Sequence, residues 1–309
     1  MRLFITGIAS SLARALLPTI CDTPWITSVF GIDIKEITYQ HKKLKTYRLD
    51  IRDPEIVHLL RDFDVIIHLA FIVKRENKRM SMNEMFDINV RGSCHVIDAA
   101  VKNGITKFIN LSTAAVYGSG ENMTEQSSYN PSPKFAYANH KMQVEKYLFE
   151  KIPTAINFRP HLILGKNTPL YIKAIFRSPT WIKFRKSREP KQQIIHEQDV
   201  VQAIMLALTK NVQGSFNLAA PEIIYLLGKY IEGDRELLAT PYLWAYFVLG
   251  ILGIFFKNPE YSFLEMLKTT STIDCTRAKE LLGWQAKFSI VAIRDEVITA
   301  LNTKDHKVK

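Results

Sequence analysis

Cysteine is scarce in this chain. Cys21, Cys94 and Cys275 are its only thiols, far apart and in no CxxC pair, so neither a disulfide framework nor a thiolate zinc site is expected. Isolated thiols fit a reducing, cytoplasmic location. No leader is expected, because the apolar run in MRLFITG is too short for a signal-peptide core and suits a first buried strand. Glycine and proline, 13 of each, are too few for a fibrous or disordered chain. With 47% apolar and 23% charged residues, the 309 positions suit a folded protein of roughly two structural units. His, Asp and Glu fall at no metal-ligand spacing, so no metal is expected.

Acids are in deficit. Thirty Asp and Glu face 41 Lys and Arg, a formal charge of +11, which suits nucleic acid, an anionic lipid surface or an acidic small molecule. Zinc-finger spacing, an aromatic RNA-binding signature and a long basic helix are all absent, so nucleic acid is not expected. Part of the excess lies in KFRKSREPK at 183–191, with five basic residues against one Glu. Long uncharged runs are rare as well. The exception is PYLWAYFVLGILGIFF at 241–256, which extends back to Leu237 for twenty uncharged residues, just enough to span a bilayer. Globular sequence continues on both sides, so a buried or interface helix opening near Pro241 is preferred, with peripheral membrane contact as the alternative.

What is present is an alternation. RLFITG, SVFGID, VIIHLA and KFINLS read as short buried strands, and SSLARALLPTI, DPEIVHLLRDF and NEMFDINVRGSCHVIDAAVKNG carry apolar residues at helical steps. Strand and helix in repetition predict an α/β fold, a doubly wound parallel sheet covered on both faces. After residue 160 the rhythm breaks at Pro160, Pro169, Pro179 and Pro190. The expected organisation is a Rossmann-type domain over 1–160 and a smaller, irregular substrate-binding region over 161–309, with a helix at 198–210 and a strand at 215–219 returning to the sheet.

TGIASSLARALL begins where the first strand ends and enters a helix, the place where a dinucleotide pyrophosphate meets a helix N-terminus. Only one of the usual three glycines is there. Gly7 serves the turn, Ser10 stands where close backbone approach favours Gly, and Ala13 takes the helix-packing position. Asp33 closes the second strand, where an acid accepts both ribose hydroxyls and repels a 2′-phosphate. NAD is therefore preferred to NADP, although Lys35, Lys42 and Lys43 lie nearby.

Tyr137 and Lys141 in YANHK fall at i and i+4 on a predicted helix and share a face. A phenol with an ordinary pKa near 10 is a poor base at neutral pH, and a neighbouring ammonium lowers that value. Thr113, in STAAVYG just past the strand KFINLS, can hydrogen-bond the same substrate oxygen from the other side. Together these residues suit hydride transfer at a secondary alcohol or ketone.

These stretches carry a resemblance. TGIASSLA, GID, LDIRD, DVIIHLA, FDINVRGS, STAAVYG, YANHK, FRPHLILG, IIHEQDVVQAI and TIDCTRAKELLGW follow one another as in the extended short-chain dehydrogenase/reductases, the NAD-dependent epimerase/dehydratase group, which the chain resembles over nearly its whole length. The resemblance implies Tyr137 as acid/base, Lys141 as its partner and nicotinamide-ribose contact, Thr113 as the substrate-oxygen donor and Asn89 as a supporting side chain. It also implies Asp50 facing the adenine and Ala70 passing its backbone close to the cofactor, with His68 and His196 structural. Ala114 and Ala115 follow Thr113 where sugar 4,6-dehydratases carry an Asp-Glu pair, so dehydration is not expected.

The substrate reading that follows is a nucleotide-sugar or similar anionic molecule, with Arg185 and Arg188 engaging its diphosphate. Two alternatives stand beside it: a membrane-associated dehydrogenase or reductase of an apolar, sterol-like alcohol or ketone, and a dinucleotide-binding sensor without turnover. A homodimer paired through 83–102 and 135–150 is expected.

Overall fold

The computed structural model describes residues 1–73, 80–177, 180–183, 190–225, 238–241 and 269–305. Seven strands form one sheet: β1 (Arg2–Thr6), β2 (Ser28–Asp33), β3 (Leu44–Arg48), β4 (Val65–His68), β5 (Lys107–Leu111), β6 (Ile156–Pro160) and β7 (Gly214–Leu218). Their order is β7-β6-β5-β4-β1-β2-β3, with every pairing parallel. Reversal at β1/β4 opens a crevice at the carboxyl ends of the strands, where such sheets bind ligands.

Alternation along β1 divides the core. Leu3 and Ile5 face one cluster with Ile67, Ile109 and Phe158, closed by helix α1 (Ser11–Asp22) and, later in the chain, by Glu197–Thr209. Phe4 faces the other with Ile66 and Phe108, beneath the helix at 82–102, termed α2, and helix α3 (Ala136–Lys151). Side chains buried completely on both faces, each contributing about 1.5–3 kcal/mol of apolar transfer, explain why these strands read as continuous apolar runs. The helix Glu197–Thr209, termed α4, packs on α1, and β7 extends the sheet beside β6.

Short pairs flank this sheet: Leu162–Leu164 with Ile194–His196, Gly120–Met123 with Ser271–Ile273, and Thr180–Lys183 with Leu238–Pro241. Pro241, expected from the sequence in the first turn of a helix, stands instead as the last residue of a strand. A residue without an N–H is tolerated at such a terminus. The rest of the apolar stretch, 242–256, lies outside the described residues. Among the described residues, no helix is long and apolar enough to cross a membrane.

Candidate active site

The first corner is built at the end of β1. Gly7 adopts φ +73°, and a Cβ there would lie 2.4 Å from the Ala70 nitrogen, so only glycine allows the two backbones to approach. Ser10 has extended backbone, and its hydroxyl accepts from the Ala13 N–H at 3.2 Å. Its side chain is thus the N-cap of α1. Ala13 is fully buried against the sheet. At the end of β2, the Asp33 carboxylate accepts the N–H groups of Ala9 and Lys35, both at 3.0 Å, which ties this acid to the glycine turn. Asp50 takes Arg52 through both oxygens, and Arg52 reaches on to Asp87 on α2.

Beneath Ala70 runs a buried relay whose proton positions follow from its ends. Ser93 donates to the Asn89 carbonyl at 2.6 Å, so its oxygen accepts from His68 Nε2 at 2.9 Å. His68 Nδ1 is then the acceptor for the Thr6 hydroxyl at 2.7 Å, and Thr6 Oγ1 in turn accepts from the Ala70 N–H at 3.4 Å. Asn89 is fully buried in a π-helical turn of α2, and its amide holds both the N–H and the carbonyl of Ile72, at 2.7 and 2.9 Å. Segment 70–72 is therefore pinned at both ends.

Burial, with the Lys141 charge adding to it, pushes His68 down to about 3, and burial pushes His161 down to about 4. Unfolded, both would titrate near 6.5, so below that pH the unfolded chain binds protons that the native state refuses. Stability is expected to fall as pH drops from 6.5 toward 4, by about 1.4 kcal/mol per pH unit for each of the two. Denaturant unfolding of the wild type and of His161→Asn across that window checks this. The variant should lose one histidine's share of the slope, and equal slopes would contradict the assignment.

The second corner joins β5 to α3. Lys141 is 2% exposed and donates through Nζ to the Leu111 carbonyl, two residues before Thr113. Burial pushes its ammonium down to about 7, against a smaller upward pull from Glu145. Thr113 caps the 3-10 turn Ala114–Tyr117, its Oγ1 accepting the Ala115 N–H at 3.2 Å. That bond uses a lone pair and leaves the hydroxyl proton for another acceptor. Tyr137 stands edge-on to Phe71, with centroids 5.5 Å apart, and the same Phe71 ring lies 3.6 Å from Lys141 Nζ.

Two features were not read from the sequence. Phe71 gave no signal, being one more apolar residue after a strand. Glu145 did give one, since it falls at i+4 from Lys141 and i+8 from Tyr137 on one helical face. It is fully buried, bonded to Ser112, to Tyr129 and to Arg159. Arg185 and Arg188 lie outside the described residues. Among those described, no group of His, Cys, Asp and Glu could hold a metal ion.

A parallel sheet in this order, with a glycine turn feeding a helix at the crevice, defines a Rossmann-type fold of the dinucleotide-binding kind. The model of the NAD dependent epimerase/dehydratase family matches residues 3–219, and the chain belongs to that family, whose cofactor is NAD. Among curated relatives, an uncharacterized protein of Mycobacterium tuberculosis is 23% identical over 94% of this chain and 82% of its own. The N-acetyl-alpha-D-glucosaminyl-diphospho-ditrans,octacis-undecaprenol 4-epimerase of Escherichia coli O157:H7 is 30% identical, over 45% of this chain and 44% of its own. The UDP-glucose 4-epimerase of Thermotoga maritima, solved with UDP-glucose, shares the fold with a TM-score of 0.79 at 20% identity, over 98% of this chain and 99% of that one.

Proposed function

We propose that this protein is an NAD-dependent epimerase acting on a sugar carried by a diphosphate, as a cytoplasmic homodimer. The cradle suits the cofactor: Gly7 admits a close backbone approach at the N-terminus of α1, and Asp33 offers a carboxylate beside it for ribose hydroxyls. Gly7, Ser10, Asp33, Asp50 and Ala70 would hold the nucleotide, with Ala13 packing α1 on the sheet beneath it. Bound there, NAD supplies the hydride acceptor.

The chain's own residues would do the rest. Tyr137, as phenolate, takes the proton of a sugar hydroxyl as the carbon is oxidised to a ketone, and returns it when the ketone is reduced. Lys141, as ammonium, stabilises that phenolate and orients the nicotinamide ribose. Thr113 donates its remaining proton to the same sugar oxygen. Asn89 holds the 70–72 backbone behind them. Elimination of water needs an acid and a base beside the sugar, and Ala114 and Ala115 provide neither, so dehydration is excluded from the proposal.

The observation that carries this reading is the bond from Lys141 to the Leu111 carbonyl, which fastens the YANHK helix to the strand end bearing Thr113. A diphosphate-linked sugar is favoured by the Thermotoga maritima and Escherichia coli relatives and by the net charge of +11. The second of those relatives acts on a lipid-linked sugar, and the uncharged stretch at 237–256 makes such a carrier the second reading.

Native purification followed by extraction of small molecules tests the proposal. NAD is expected to be retained, and incubation with UDP-glucose, UDP-glucuronic acid and their N-acetylated and lipid-diphosphate counterparts should interconvert at least one epimer pair. Protein that neither retains nor binds NAD, and leaves every sugar unchanged, would contradict it.

A further inference from the structure

We infer that Phe71 competes with the cofactor for Lys141 and thereby sets the affinity of the nucleotide site. The inference rests on the proposed contact between Lys141 and the nicotinamide ribose. The Phe71 ring centroid lies 3.6 Å from Lys141 Nζ, and the ring also meets Tyr137 at an interplanar angle of 84°. The Leu111 carbonyl takes one approach to the ammonium and the ring face takes another, which accords with an exposure of only 2%. A ribose hydroxyl needs to come within about 3 Å of the same nitrogen. A ring seated face-on at that distance leaves no room for a hydroxyl on its side of the nitrogen.

The loop that carries the cover is anchored on both sides of it. Ala70 is held through its N–H by Thr6, and Ile72 through both its N–H and its carbonyl by Asn89. Phe71 sits between these anchors, so its ring leaves Lys141 by rotation about its own side-chain bonds. Binding therefore exchanges a cation–π contact, made within the protein, for hydrogen bonds to the ribose, and the lost contact is subtracted from the affinity. Burial has already pushed the Lys141 ammonium down to about 7, as expected where an apolar ring takes the place of water.

Calorimetric titration of the full chain, first stripped of any retained nucleotide, with NAD, together with acetic anhydride labelling of Lys141 followed by mass spectrometry, tests this. A cation–π contact of ordinary strength corresponds to about a 3- to 30-fold change in binding. F71A is expected to bind NAD tighter by that factor, and its Lys141 to be acetylated at least about tenfold faster than in the wild type, with NAD protecting it in both. Phe71→Tyr, which keeps the ring face, should restore wild-type behaviour on both counts. Equal or weaker NAD binding by a folded F71A, or wild-type Lys141 labelled as fast as exposed lysines, would overturn the inference. Failure of both proteins to bind NAD would overturn the cofactor contact and the competition with it, whereas the labelling contrast judges the cover by itself.

Discussion

Replacing Tyr137 with Phe is expected to lower the rate of sugar oxidation by about 10²- to 10⁴-fold, the range that a positioned acid–base group supplies. The substitution removes one oxygen and keeps the ring, so the edge contact with Phe71 survives and the helix is undisturbed. NAD affinity should stay within about threefold, because the hydroxyl acts on the substrate and is not part of the nucleotide cradle. A fall in kcat with little change in KM would identify an interaction made in the transition state. A variant retaining more than about a tenth of wild-type turnover would remove Tyr137 from its proposed role.

The second large effect concerns stability. Arg159 is 3% exposed, and its guanidinium meets Glu145 at 2.6 Å, the Tyr117 and Tyr129 hydroxyls each at 2.7 Å, and the Glu125 carbonyl at 3.2 Å. Tyr117 in turn bonds Asn217 on β7, so one buried cluster joins α3, β6 and β7 to the loop bearing Thr113. Arg159→Met leaves the Glu145 carboxylate buried without its counter-charge, and is expected to cost about 3–5 kcal/mol, since breaking a buried pair strands one ion. The midpoint of denaturant unfolding should fall at constant m. Adding Glu145→Gln removes the stranded charge and should recover part of the loss. A double variant less stable than Arg159→Met would refute this account of the pair.

Much of the fold was legible because both faces of the sheet are buried. Four-to-six-residue apolar runs between helical patterns leave few alternatives to a parallel sheet, and β1, β2, β4 and β5 fall on the stretches that read as strands. β3 did not stand out. LKTYR is an edge strand whose last four residues are exposed, so it carries no apolar signature. The helix at 82–102 was readable from its apolar spacing, whereas the wider turn over Asp87–Gly92 that holds Asn89 was not, because a π-turn inserts into the backbone without altering composition.

The site divides in the same way. Tyr137, Lys141 and Glu145 share a face by arithmetic alone, and Gly7 is marked by its place between strand and helix. Ser10 could be noticed as a departure from glycine, but its use as the α1 cap depends on a backbone angle that the sequence does not display. Phe71 needed coordinates, since its contacts lie sixty-six and seventy residues away along the chain. Nothing in LAFIV announces them.

The central claim is that NAD and Tyr137 act on one sugar carbon in this cleft. The most direct measurement is absorbance at 340 nm after rapid mixing of the NAD-loaded protein with a UDP-hexose. The wild type should show a transient rise and decay, and the Tyr137→Phe variant no rise. A transient of equal size in both proteins, or a flat trace with every sugar that the protein binds, would contradict the claim.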